Sequence, residues 1–139
     1  MSFRLAVDAL RENVAAINRG DYEGMVAMYA DGASWFASPE GALVFCGRSA
    51  IRGFYEDWYG AYAEYQAALG EVRDLGAGVL LAHYLQRGRL EGAKGFLEQR
   101  RAAVSMWAEG SIEQWFNYPE EQLDAAHAAA HRLARERGA

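Results

Sequence analysis

The chain has 139 residues, 52% of them hydrophobic and 13% aromatic, with a formal charge of −5. That length buries an ordinary core without a disulfide or metal staple, and the acidic balance excludes the basic face that a nucleic-acid partner needs. The lone Cys46 has no partner for an internal disulfide, and the charges within MSFRLAVDALREN come too early for a signal peptide or membrane span, so a reducing cytoplasm is expected.

From Phe3, apolar residues at Val7, Leu10, Val14 and Ile17 recur at steps of three and four and predict a helix that Gly20 ends. Asp21 caps a second short helix carrying Tyr22, Met25, Val26 and Tyr29, closed by the turn pair Asp31-Gly32. A short strand over Ala33 to Ala37, a loop at Ser38-Pro39-Glu40-Gly41 and a brief apolar run from Leu43 to Cys46 follow. Ser49 is the expected cap of a third helix, with Ile51, Phe54, Tyr55, Trp58, Tyr59 and Tyr62 forming the strongest stripe in the chain.

Glycine-bearing turns then divide segments at roughly 64–75, 79–90, 96–107 and 111–118, which predicts a four-stranded antiparallel meander. Pro119 with Glu120 and Glu121 opens a last helix that ends among Arg132, Arg135 and Arg137. Its Ala-rich middle predicts a loosely docked helix or one that packs on a partner subunit.

This element order, and three pieces of local text, carry a resemblance. Asn18 to Ala33 includes GDYEGMVAMYADGA, Gly47 to Tyr55 reads GRSAIRGFY, and Val104 to Ile112 reads VSMWAEGSI. All three resemble the nuclear transport factor 2-like (SnoaL-like) superfamily. The resemblance implies an α+β fold over residues 1–139: a cone-shaped, curved antiparallel sheet packed on an N-terminal helical hairpin and a third helix, plus a C-terminal helix. It does not imply one activity, because this superfold hosts isomerases, hydrolases, cyclases and binding modules.

Compared with the ketosteroid isomerase branch, the chain departs at each reacting position. Ala37 and Ser38 stand where the base precedes the loop proline, Asn13 where a helix tyrosine donates, and Ala103 where a protonated aspartate does. Tyr55 matches a helix tyrosine of that family. The isomerase mechanism is therefore not expected.

The family register sends Leu81, His83, Leu85 and Arg87 inward on one strand, Gln99, Arg101, Ala103, Ser105 and Trp107 on the next, and Glu113, Trp115 and Asn117 on the last. A slip of one residue reverses each set. His83 is a candidate general base or a packed core imidazole, and Arg101 is a candidate carboxylate or carbonyl ligand or half of an ion pair with Glu113 or Glu71. Trp35, Tyr55, Trp58, Trp107 and Trp115 line an apolar cavity or form a plain core, with Ser105, Glu113 and Asn117 as polar tips. His127 and His131, four apart, lack a third ligand, so neither metal nor cofactor is expected. Cys46 is expected to be buried or half-buried.

The expected function is binding of a small, mostly apolar molecule between sheet and helices, with or without a cofactor-free hydrolase, isomerase or cyclase reaction at His83 and Arg101. The alternative is a non-catalytic ligand-binding or dimerisation module. Tyr84, Gln86, Val104, Met106, Phe116 and Tyr118 would then face outward, an apolar outer surface that predicts a homodimer.

Overall fold

The structure, a computed structural model, describes residues 2–37 and 43–139; the predicted loop at Ser38-Pro39-Glu40-Gly41 lies outside the described residues. Helix α1 (Phe3–Arg19) starts where the Ser2 hydroxyl accepts from Leu5 N at 3.1 Å and ends at Gly20, whose φ of 71° is the left-handed conformation glycine adopts without strain. Asp21 caps α2 (Tyr22–Val26), its carboxylate accepting from Gly24 N at 3.0 Å. This second helix is shorter than expected. Strand β1 (Tyr29–Phe36) takes over at Tyr29, so Asp31 and Gly32 lie inside a strand. The turn signal marks an irregularity there: the register of β1 against the last strand shifts between Tyr29 and Ser34.

Strand β2 (Val44–Cys46) pairs antiparallel with β1, and α3 (Arg48–Gly60) follows with Gly47, not Ser49, at its N-cap. Cys46 is exposed, contrary to expectation, because β2 is the edge of the sheet. The predicted meander forms as β3 (Tyr62–Gly76), β4 (Val79–Leu90), β5 (Leu97–Ala108) and β6 (Ser111–Tyr118). A 3-10 turn at Glu120–Gln122 leads into α4 (Leu123–Glu136).

The six strands form one curved sheet in the order β2-β1-β6-β5-β4-β3. All neighbours are antiparallel except β1 and β6, which run parallel and join the N-terminal part to the meander. At the opposite edge the Asn18 side chain imitates a neighbouring strand. Its Nδ2 donates to Ala67 O at 2.9 Å and its Oδ1 accepts from Ala67 N at 2.7 Å, which pins the end of α1 to β3 and occupies edge groups that would otherwise face water.

The sheet has two covered faces. The concave one packs Leu80, Ala82, Tyr84, Ala103, Trp107 and Trp115 against Leu10, Met25, Ile51 and Tyr55 of the first three helices. The convex one packs Val79, Leu81, Ala102, Val104, Met106 and Tyr118 against Ala126, Ala129, Ala130 and Ala134 of α4.

Two expectations are corrected here. The β4 register is the reverse of the one expected: Leu80, Ala82 and Tyr84 face the concave core, and Leu81 and His83 face α4. The run from Val79 to Ala82 is buried on both faces, so its hydrophobicity carries no phase. The outer face, moreover, is covered by the chain's own last helix. Val104, Met106 and Tyr118, expected to form an exposed apolar face, are buried there under α4, and the half-buried Phe116 stacks on Phe36 at 4.5 Å between ring centroids.

Helix α4 docks closely because its buried residues are alanines, which let helix and sheet backbones approach. Arg137 ties down its end, Nη1 donating to Ala77 O at 3.1 Å and to Trp107 O at 3.0 Å. Among the described residues, no helix is long and apolar enough to cross a membrane.

Candidate functional site

Sheet curvature separates the middle of the concave face from α3 and leaves a cavity of about 200 Å³. Helix α1 supplies Asn13 and Ile17, and α3 supplies Phe54, Tyr55, Trp58 and Tyr59 at helical spacing. The sheet supplies Trp35, Ala67, Tyr84, Gln86, Arg101, Trp115 and Asn117, and Ala37 and Leu43 flank strands β1 and β2. The rings brace one another: Trp35 lies 4.6 Å from Phe54, and Tyr84 and Tyr29 each lie 6.1 Å from Trp115, all between centroids. Such offset and edge contacts are worth about 0.5–1.5 kcal/mol each beyond area burial and hold a hollow open that smaller side chains would let collapse.

Behind this wall sits a hydrogen-bonded chain. Trp35 Nε1 donates to the Tyr29 hydroxyl at 3.1 Å, and the Tyr29 and Tyr55 hydroxyls lie 2.6 Å apart. When Tyr29 donates to Tyr55, every donor behind the wall is used and the Tyr55 O–H is left for the cavity. Asn13, buried beside it, donates from Nδ2 to Met25 O at 2.7 Å.

Burial holds the phenols protonated. Desolvation pushes Tyr55 up to about 12, and it raises Tyr84 further, with the neighbouring Tyr55 adding to the effect. Near neutral pH both act only as uncharged hydroxyls, donors to an acceptor on a bound molecule. Arg101 is the one ionised side chain among the described lining residues. Its guanidinium lies 5.4 Å from the centre of the Trp58 ring, and Nη2 donates to Gln99 Oε1 at 3.0 Å.

Three buried polar atoms of the lining have no hydrogen-bond partner among the described residues: Tyr84 Oη, Arg101 Nε and Trp115 Nε1. An unmade bond of this kind costs about 1–3 kcal/mol, so a cluster of them on one cavity is a feature of the site rather than of the fold.

Of the residues expected at the site, the cavity gathers Arg101, Tyr55, Trp58, Trp35, Trp115 and Asn117. Ser105 and Trp107 face the same side but are sealed in the core, where Trp107 Nε1 donates to Ser105 Oγ at 2.8 Å. Glu113 lies outside, exposed, 3.5 Å from Arg137. His83 is on the convex face, its ring centroid 5.3 Å from that of His127, bordering an open depression with Leu85, Glu98 and Arg100. It is therefore not a base for this cavity.

Tyr84 and Gln86 were missed, because they belong to the strand whose phase the hydrophobic pattern does not mark. Asn13 and Tyr59 carried a signal: Asn13 is a polar residue one position before Val14 of the α1 stripe, and Tyr59 belongs to the α3 stripe. Among the described residues, no group of three or more His, Cys, Asp and Glu side chains is placed to hold a metal ion.

The SnoaL-like domain profile matches residues 10–115, which take in all of this lining except Asn117. The chain belongs to the SnoaL-like family. No curated protein sequence matches it. Solved structures resemble it throughout. A nuclear transport factor 2-like protein of unknown function from Burkholderia pseudomallei K96243 superposes with a TM-score of 0.74 at 16% identity, covering 100% of both chains. Bal32a from a soil-derived mobile gene cassette superposes at 0.73 with 18% identity over 89% of this chain and 95% of its own. A Mycobacterium tuberculosis protein in complex with estradiol-17β-hemisuccinate does so at 0.68 with 17% identity over 82% and 92%. At such identities the likeness establishes the SnoaL-like fold alone.

Proposed function

We propose that this SnoaL-like protein binds a small, mostly apolar molecule in the cavity between α3 and the concave face of the sheet. The observation that carries the reading is the lining itself: about 200 Å³ walled by Trp35, Phe54, Tyr55, Trp58, Tyr59 and Trp115. Cavities of about 150 Å³ with apolar walls admit benzene, so this one has room for a one- or two-ring compound. The estradiol-17β-hemisuccinate complex of the M. tuberculosis neighbour supports the reading by analogy.

The chemistry on offer is hydrogen-bond donation. The described lining contains no carboxylate and no imidazole, and its phenols are held protonated, so it supplies donors that orient or polarise a carbonyl but no group to take a proton near pH 7. This favours the binding module over the hydrolase, isomerase or cyclase.

The test is titration with neutral one- and two-ring compounds, followed by the emission of the cavity tryptophans. Saturable changes are expected in the wild type and none in Ala67→Leu, whose side chain fills the hollow. Equal binding by the variant, or no response from any compound, removes the pocket from consideration.

A further inference from the structure

The unpartnered donors say more about the occupant than the rings do. Tyr84 and Trp115 are buried to more than nine-tenths, with 8% and 6% exposure, and their polar atoms meet no partner among the described residues. Arg101 is half-buried, its Nε is sealed from water without a partner, and among the described residues no carboxylate lies within 4.0 Å of its guanidinium. All three residues line the same cavity. Tyr84 and Arg101 are paired across β4 and β5 and share the concave face, where directly opposed side chains sit about 5 Å apart at Cβ, and the Tyr84 ring is 6.1 Å from that of Trp115.

Unpartnered donors on a ring-rich wall, with a cation that has no carboxylate partner among the described residues, are complementary to an anionic acceptor. A hydrocarbon would leave all three donors dry, and a neutral carbonyl would leave the charge uncompensated. We propose that the occupant carries a carboxylate on its apolar ring body, paired with Arg101, with Tyr84 Oη and Trp115 Nε1 as the further unpartnered donors of the same lining. This rests on the pocket reading above and specifies the class of ligand.

The experiment compares ligands of one shape. Isothermal titration of the whole chain at pH 7 with 2-naphthoate, 2-acetylnaphthalene and 2-methylnaphthalene separates carboxylate, neutral acceptor and no acceptor. The carboxylate is expected to bind about tenfold or more tighter than the hydrocarbon, with the ketone between them. Arg101→Met should erase that preference and leave 2-methylnaphthalene affinity unchanged. Its ligand-free melting temperature should match or exceed that of the wild type, because an uncompensated cation is removed; a structural arginine would give a drop instead. Tyr84→Phe, which keeps the ring and its packing, should weaken 2-naphthoate several-fold and the hydrocarbon not at all.

If 2-methylnaphthalene binds and 2-naphthoate binds no tighter, or if the preference survives both substitutions, the carboxylate assignment is wrong while the pocket stands. If none of the three binds, both fall together.

Discussion

The two faces of the sheet are built from opposite materials. On the convex side, Leu81, Ala102 and Val104 meet the alanines of α4 with nothing between them, and all of these side chains are at or near complete burial. On the concave side, rings from α3 and the strands meet across a wider gap and prop it open. Small side chains let backbones approach until no space is left, whereas rigid rings in offset contact set a separation that a curved sheet cannot close. The convex face is therefore filled throughout, whereas the concave face combines the larger core with an unfilled, donor-bearing space, the division expected when a site leaves donors unpaired that the rest of the fold must compensate.

Substitutions break or sharpen this contrast. The largest effect is expected from Leu81→Ala, which empties a fully buried position between sheet and α4: a loss of about 2–5 kcal/mol in urea unfolding, with cavity binding preserved if the protein is kept below its transition. One chemical change applied to both faces should then give opposite signs. Ala130→Leu overpacks the α4 interface and costs about 1–3 kcal/mol. Ala67→Leu grows into the cavity and raises stability by about 0.5–2 kcal/mol while abolishing binding. A loss at Ala67 as large as that at Ala130 would show that the concave space is not available.

The smallest effect belongs to the convex histidine. Burial, and then the charge of His127, lower the pKa of His83 below its ordinary 6.5, with Glu71 opposing and Arg73 adding to the shift. The unfolded chain then binds the proton more readily than the folded one, so the contribution is intact above about pH 6.5 and is lost as pH falls from there to the depressed folded value. Thermal melts from pH 8 to 5 should show this slope, and His83→Gln should flatten it without changing ligand affinity. His83 is half-buried and partly screened by solvent, which keeps the effect slight.

Much of this was legible before any coordinates. Helices α1 and α3 were readable from their stripes and the meander from its glycine-bearing turns, because periodicity and φ preference are local properties. The rings of the cavity were legible in part for a related reason: Tyr55 and Trp58 sit on a strongly phased helix, whereas Trp115, followed by Phe116, was placed by the family register. The parallel pairing of β1 with β6 was not legible, since no local pattern reports which distant strand a segment will meet. The place of α4 was misread as well, because an Ala-rich helix looks weakly amphipathic until the close approach that small residues allow is seen.

His83 and Tyr84 illustrate the boundary. The residues from Val79 to Tyr84 determine by themselves that a strand forms there and that it is buried, because apolar surface leaves water regardless of direction. Which of the two adjacent side chains enters the cavity depends on the pairing of Tyr84 with Arg101, a contact across 17 positions of chain that only the assembled sheet decides. That single choice of phase removes an imidazole from the cavity and supplies a phenol in its place.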